Sequence, residues 1–328
     1  LKNILFANGD VKIIDNIKDI TVYSEKIIYY KNDEIIISQK KSRAENKEIT
    51  IDANNFKYNK ISNTIDASGN VQIQDIVNDY YSTAEHITYY RNEEKIKTKG
   101  ESFTLIKSKY NFYSSDITIL RNKKEMSSLN KSKLIDEDLT QYDFNNYTYL
   151  FDKEFLKANN INIISNNSLP KGQTDQAYFL NGFFDLKNKN FDASETKVKI
   201  KKNSFDNSDN DPRIVGVSSQ SKNGVTKIKK ASFTSCKLDK DKCPPWSISA
   251  DKITHDKNKK QLIYDNAILK VYDKPVMYFP KFFHPDPTVE RQSGFLKPQL
   301  NNSEILGSSI FLPYFHIISE SKDLTLKP

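Results

Sequence analysis

ANGDVKIID, residues 7–15, returns as ASGNVQIQD at residues 67–75, and SEKIIYYKNDE, residues 24–34, returns as AEHITYYRNEE at residues 84–94. Both shifts are sixty residues. Weaker copies lie between and after them: ANNFKYNK at 53–60, SSDITILRN at 114–122 and ADKITHDKNKKQL at 250–262. The underlying unit is therefore nearer thirty residues, a period that marks stacked repeats.

Each unit reads as strands. In GNVQIQD, Val71 and Ile73 alternate with Asn70, Gln72 and Gln74, the period of two expected of a strand with one dry face. Ile27 with Tyr29, and Ile87 with Tyr89, repeat the pattern. Turn chemistry separates the runs at Lys31-Asn32-Asp33, Asn59-Lys60, Arg91-Asn92 and Lys257-Asn258. The expectation is an all-β stack in which each rung buries its apolar face only because its neighbours do likewise. Residues 126–170 lose the pattern, and they read as an irregular insertion with a short helix near 152–159. Near Pro275 the texture changes again, as DKPVMYFPKFFHPDPTVERQSGFLKP gathers five of the eleven prolines into a connector.

Composition sets the class. Aromatic residues make up 12% of the 328, and with the Ile/Tyr patterning they argue against disorder. The net charge of +8 comes from 50 basic and 42 acidic residues that are interspersed rather than clustered, a solvated surface and not a nucleic-acid footprint. No apolar run reaches the eighteen residues of a membrane-spanning helix. The four histidines are scattered, and no Walker loop, GxSxG or GxGxxG occurs, so an enzyme is disfavoured and neither metal nor cofactor is expected. The cysteines, Cys236 and Cys243, are too few for a four-ligand zinc site. The apolar stripe of Val11, Ile13, Ile27, Tyr29, Val71, Ile73, Ile87 and Tyr89 has two readings. In a closed sandwich it is core; between splayed sheets it lines a trough for acyl chains, each buried methylene being worth about 0.8 kcal/mol.

The A-x-G-x-V-x-I and A/S-x-x-I-x-Y units resemble the OstA-type domain of lipopolysaccharide transport proteins. ASFTSCK at 231–237, PPWSISADKITHDKNKKQL, KPVMYFPKFFHPD, and RQSGFLKP followed by FLP look like the LptD family of outer-membrane lipopolysaccharide-assembly proteins. The resemblance implies a twisted periplasmic β-jellyroll over 1–270, interrupted at 126–170, a connector over 271–292, and the first strands of a transmembrane β-barrel over 293–328. It further implies lipopolysaccharide as cargo, a periplasmic OstA-type bridge protein as donor, a lipoprotein plug in the barrel, and an outer-membrane location. Residues 274–328 supply only two or three strands of 9–11 residues, so a fragment or incomplete gene product is expected. By the same resemblance Cys236 pairs with a barrel cysteine, which leaves Cys236–Cys243 as the local alternative here. Pro298 and Pro313 mark a weak seam, or lateral gate, because each lacks a backbone donor. A soluble bridge protein of the same family explains the repeats but not the second half. A β-helix polysaccharide lyase would need a clustered rung of catalytic groups, and a repeat adhesin more than 9 glycines.

Overall fold

The computed structural model describes residues 3–166, 174–200, 211–236, 244–285, 293–296, 299–303, 307–311 and 313–327. The fold is all-β, and the chain divides into two compact units, residues 1–169 with 180–187, and 170–179 with 188–328.

The first unit holds β1 (Ile4–Asp15), β2 (Ile20–Tyr30), β3 (Ile35–Glu45), β4 (Ile49–Asn59), β5 (Thr64–Asp75), β6 (Tyr80–Tyr90) and β7 (Lys95–Ile106). It continues through β8 (Tyr110–Ser115), β9 (Thr118–Leu120), β10 (Glu125–Ser128), β11 (Ser132–Ile135), β12 (Gln141–Leu150) and β13 (Phe155–Ile164). From β1 to β8 each strand pairs antiparallel with the next. The turns are written by Asx chemistry: Asp15, Asn46, Asn59, Asp75 and Asp136 each accept from backbone N–H groups two to four residues on. Alternate turns stack at one edge, where the N–H of Lys60 donates to the carbonyl of Glu34, Arg91 to Asn63, Arg121 to Glu94 and Phe151 to Lys124, at 2.8–3.1 Å.

Strands do not run straight. Their registers break at mid-length, between Asn8 and Val11 in β1, Gln39 and Ser42 in β3, and Ser68 and Val71 in β5. The conserved spacing of A-x-G in both copies is this bulge. Gly69 has φ +79°, and a Cβ there would lie 2.8 Å from the Asn54 amide. Because the long strands bend at these breaks, their two ends approach one another, and the turns of one edge meet the turns of the other along a seam. The space inside is core: Ile51, Ile65, Tyr58 and Phe112 are fully buried, and Phe112, Tyr147, Tyr149 and Phe151 pack ring against ring.

The stretch expected to be irregular is strand in its described part. Asp152 sits in the 151–154 turn and β13 follows it, so the expected helix at 152–159 is absent. The buried pattern of β13, with Leu156 and Ala158 inside and Lys157 outside, has the period of a strand.

After β14 (Gln176–Asp185), the second unit is a meander of β15 (Asn190–Lys199), β16 (Arg213–Lys222), β17 (Val225–Thr234), β18 (Trp246–Asp256), β19 (Gln261–Val271) and β20 (Lys274–Pro285). Its core gathers Ile214, Ile228, Phe233, Ile253, Leu262 and Tyr264, with Trp246, Phe279 and Phe282 packed against them. Short strands follow: β21 (Gly294–Phe295) pairs with β24 (Tyr314–Ser319), β22 (Gln299–Ser303) with β23 (Gly307–Phe311), and β24 with β25 (Lys322–Leu326). No helix among the described residues is long and apolar enough to cross a membrane.

Candidate functional site

The inward face of the first unit is organised as cross-strand rows. One runs Ile13–Val22–Ala44–Ile51–Ile73–Ser82. A second runs Ala7–Ile27–Ser38–Phe56–Ala67–Ile87. The third, the longest, runs Leu5–Tyr29–Ile36–Tyr58–Ile65–Tyr89–Ile96 and on through Ile119, Met126 and Tyr149 to Leu156. The sixty-residue equivalents Ile13 and Ile73, Ile27 and Ile87, and Tyr29 and Tyr89 therefore share one row each. Val71, opposite Ala84, and Val11, opposite Ser24, lie beside the bulges.

Burial along these rows is graded. Val71, Ile73, Ile27, Ile87 and Tyr89 are buried to 2% or less, whereas Val11, Ile13 and Tyr29 are half-buried. The difference follows from position. Strand β1 pairs only with β2 among the described residues, so the rows open to solvent there, with Leu5 exposed. An unpaired strand edge with apolar neighbours is a template for strand addition.

The seam is closed by side chains, and of its residues only Tyr29 and Tyr89 are singled out as candidate site residues by the sequence. Arg121, 4% exposed, donates from Nε to Asp75 at 2.6 Å, from Nη1 to Glu94 and to the Tyr89 hydroxyl, and from Nη2 to Glu48 at 3.1 Å. One copy earlier Lys60 reaches Asp15 at 3.4 Å and Glu34 at 3.2 Å, and Tyr29 donates to Glu34 at 2.8 Å. Asp15, Tyr29 and Glu34 map onto Asp75, Tyr89 and Glu94 by the sixty-residue shift, and Lys60 maps onto Arg121 with one residue of slip. That shift was the available signal. Further along, Glu154 accepts from Lys107 and from Tyr110, both at 2.8 Å.

These contacts set the local electrostatics. Burial pushes the Tyr89 hydroxyl up to about 12 against the opposing pull of Arg121. Burial works to lower the Arg121 pKa, and the bond to Asp75 together with the charges of Asp75, Tyr89 and Glu94 more than reverses it, so the guanidinium stays charged. Burial raises Glu154, yet Lys107 and Tyr110 outweigh it and hold the carboxyl below its usual value. Among the described residues, the buried groups without a hydrogen-bond partner include the hydroxyls of Ser38, Tyr80, Tyr147 and Tyr149.

In the second unit Cys236 carries a free, half-buried thiol 3.9 Å from the Trp246 carbonyl; Cys243 lies outside the described residues. Pro313 is buried and immediately precedes β24, and its carbonyl accepts from the Leu296 N–H at 2.8 Å. Pro298 lies outside the described residues. No group of three metal-ligating side chains occurs among the described residues.

No family model matches the chain. Curated proteins do. The LPS-assembly protein LptD of Legionella pneumophila (strain Paris) is 35% identical over 101 residues, which is 31% of this chain and 12% of that protein. Over that stretch the chain is similar to LptD proteins, which supports its assignment to that family. The LPS-assembly protein LptD of Polaromonas sp. is 32% identical over 101 residues, 30% of this chain and 12% of the relative. That of Pseudoalteromonas translucida is 35% identical over 98 residues, covering 30% and 13%. The matched region thus spans about an eighth of the length of these relatives.

Proposed function

We propose that the chain serves lipopolysaccharide transport and its insertion into the outer leaflet of the outer membrane. In this reading residues 1–270 form a periplasmic jellyroll that receives lipid from an OstA-type bridge protein. Residues 271–292 connect it to a β-barrel beginning at 293–328, which is plugged by a lipoprotein. The role is carriage and not catalysis. The observation that carries the reading is the set of unbroken interior rows, which, once the seam parts, offer acyl chains an apolar path with the right periodicity to be handed from rung to rung.

Three features support it. The exposed β1 edge suits a bridge protein that adds a strand and continues the rows. The orphaned Tyr149 and Ser38 hydroxyls each cost about 1–3 kcal/mol unpaired, a cost that a lipid carbonyl or hydroxyl would remove. The seam is held by side-chain pairs, so it parts without unpairing any strand. Pro298 and Pro313 serve as the lateral gate of the barrel in this account, and Cys236 pairs with a barrel cysteine. Peptide mapping of the non-reduced protein that found Cys236 bonded to Cys243 would remove that last element.

The test is photo-crosslinking in cells. A crosslinker at Ile73 should capture lipopolysaccharide, and one at Lys57, exposed on β4, should not. Equal capture at both positions, or none at Ile73 in folded protein, would reject the interior path.

A further inference from the structure

An outward cross-strand row also crosses the first unit without a break. It runs from Lys12 on β1 to Asn162 on β13 through Arg43, Gln72, Phe103 and Tyr113, ten strand steps in all. At about 4.8 Å per step the row is about 48 Å long. Beside it the wall dents inward at the mid-strand bulges. The residues beneath the dent are small, Ser42, Ala53, Ala84, Ser102, Ser114 and Ser132, and Ser114 bonds Ser132 at 2.8 Å.

The dent leaves three clefts along the row, of about 720, 620 and 410 Å³. Their far bank is formed by Lys41, Asn70, Glu85, Glu101, Lys131 and Asn160. The lining has a definite chemistry. Tyr113 is 43% exposed, with Phe103 at 5.2 Å between ring centroids and the Lys133 ammonium 4.6 Å from its own. Amides, hydroxyls and charges of both signs alternate with these rings.

We infer that this groove binds a linear oligosaccharide, a glycan chain separate from the transported lipid. Its length and open ends suit a linear polymer better than a compact ligand. Acidic and basic side chains are interleaved, which gives no field for a polyanion such as nucleic acid. A peptide binding by strand addition needs a free sheet edge, and the strands beneath the groove are already paired on both sides. A chain of sugar rings uses what remains: flat apolar faces for the aromatic rings, and hydroxyls for the amides and carboxylates. The wall itself sets the occupant apart from the lipid, since Gln72 faces the groove while its neighbour Ile73 is buried on the other side. The inference does not depend on the interior carrying acyl chains.

The purified full chain, titrated calorimetrically with the β-1,4-linked hexamer of N-acetylglucosamine, should show saturable binding. Tyr113→Ala and, separately, Gln72→Ala should each weaken it about tenfold, as truncation of a central contact does, with unchanged thermal melting. No saturable binding by the wild-type chain, or binding indifferent to both substitutions, would overturn the proposal. So would acid-released lipopolysaccharide oligosaccharide binding the groove where the hexamer fails, which would assign it to the transported lipid. A Tyr113-dependent dimer that binds no hexamer would assign the face to a second copy and overturn it equally.

Discussion

Replacing Arg121 with Met removes the cation that joins both sides of the seam while keeping the bulk of the side chain. Asp75, whose side chain is fully buried, is then left charged with the N–H groups of Val77 and Asn78 and the Asn78 amide as its remaining donors. Removing one partner of a buried pair costs about 3–5 kcal/mol. Glu94 and Glu48 are 39% and 55% exposed and regain water, and Asp75 keeps three donors, so the loss should lie near about 3 kcal/mol. Lys60→Met is the internal control. It removes the equivalent cation one copy earlier, where Lys60 is 29% and Glu34 39% exposed, and should cost at most about 1 kcal/mol. Urea unfolding reads both, with the midpoint shifting and the slope unchanged. On an Asp75→Asn background the cost of Arg121→Met should shrink, giving a coupling of about 1–3 kcal/mol. A loss no larger than that of Lys60→Met, or no coupling to Asp75, would refute the view that this cluster fastens the seam.

Glu154→Gln should lower stability at pH 7 by about 1.5 kcal/mol. The folded state holds this carboxyl below its usual 4.5, so its contribution is present above that value and is lost as pH falls through the folded pKa; an undiminished gap between mutant and wild type at about pH 2 would contradict the assignment. Tyr149→Phe removes an orphaned buried hydroxyl, so thermal melting should be unchanged or raised, by up to about 1 kcal/mol, while crosslinking of lipopolysaccharide at Ile73 falls; clear destabilisation would mean the hydroxyl is satisfied. Replacing Pro298 and Pro313 together with alanine in the complete protein should slow lipopolysaccharide export without reducing the amount of folded barrel. Undiminished export by folded protein would leave both prolines as architecture of the barrel rim.

Much of the strand architecture was legible because it is local. Ile27 and Ile87 announce the same inward position sixty residues apart, and the pairing of Ala67 with Ile87 follows from a turn at 76–79 with strands of matched length on either side. The 126–166 stretch was harder to read for a physical reason. At its start a single long strand is replaced by halves, β10 and β11, each of four residues, too short for a period of two to stand out. Phe155, Leu156 and Ala158 then mimic a helical stripe. The seam was illegible from any window of sequence. Arg121 lies 27 to 73 residues from its partners, and only the bend at each bulge brings them together; each of the sites needs a fold before it has neighbours.

The order of contacts along this chain also bears on how it is made. From β1 to β8 every ladder joins a strand to its successor across a turn of three or four residues, so a rung is complete once one more strand has been synthesised. The seam contacts must wait for two or three further strands. Such a domain should assemble in the direction of its synthesis, by zipping hairpins onto a growing end, with loop closure kept short at each step. The polar fastenings across the seam then form last. A chain interrupted between rungs would keep its earlier rungs paired, and its newest strand would be the unprotected edge.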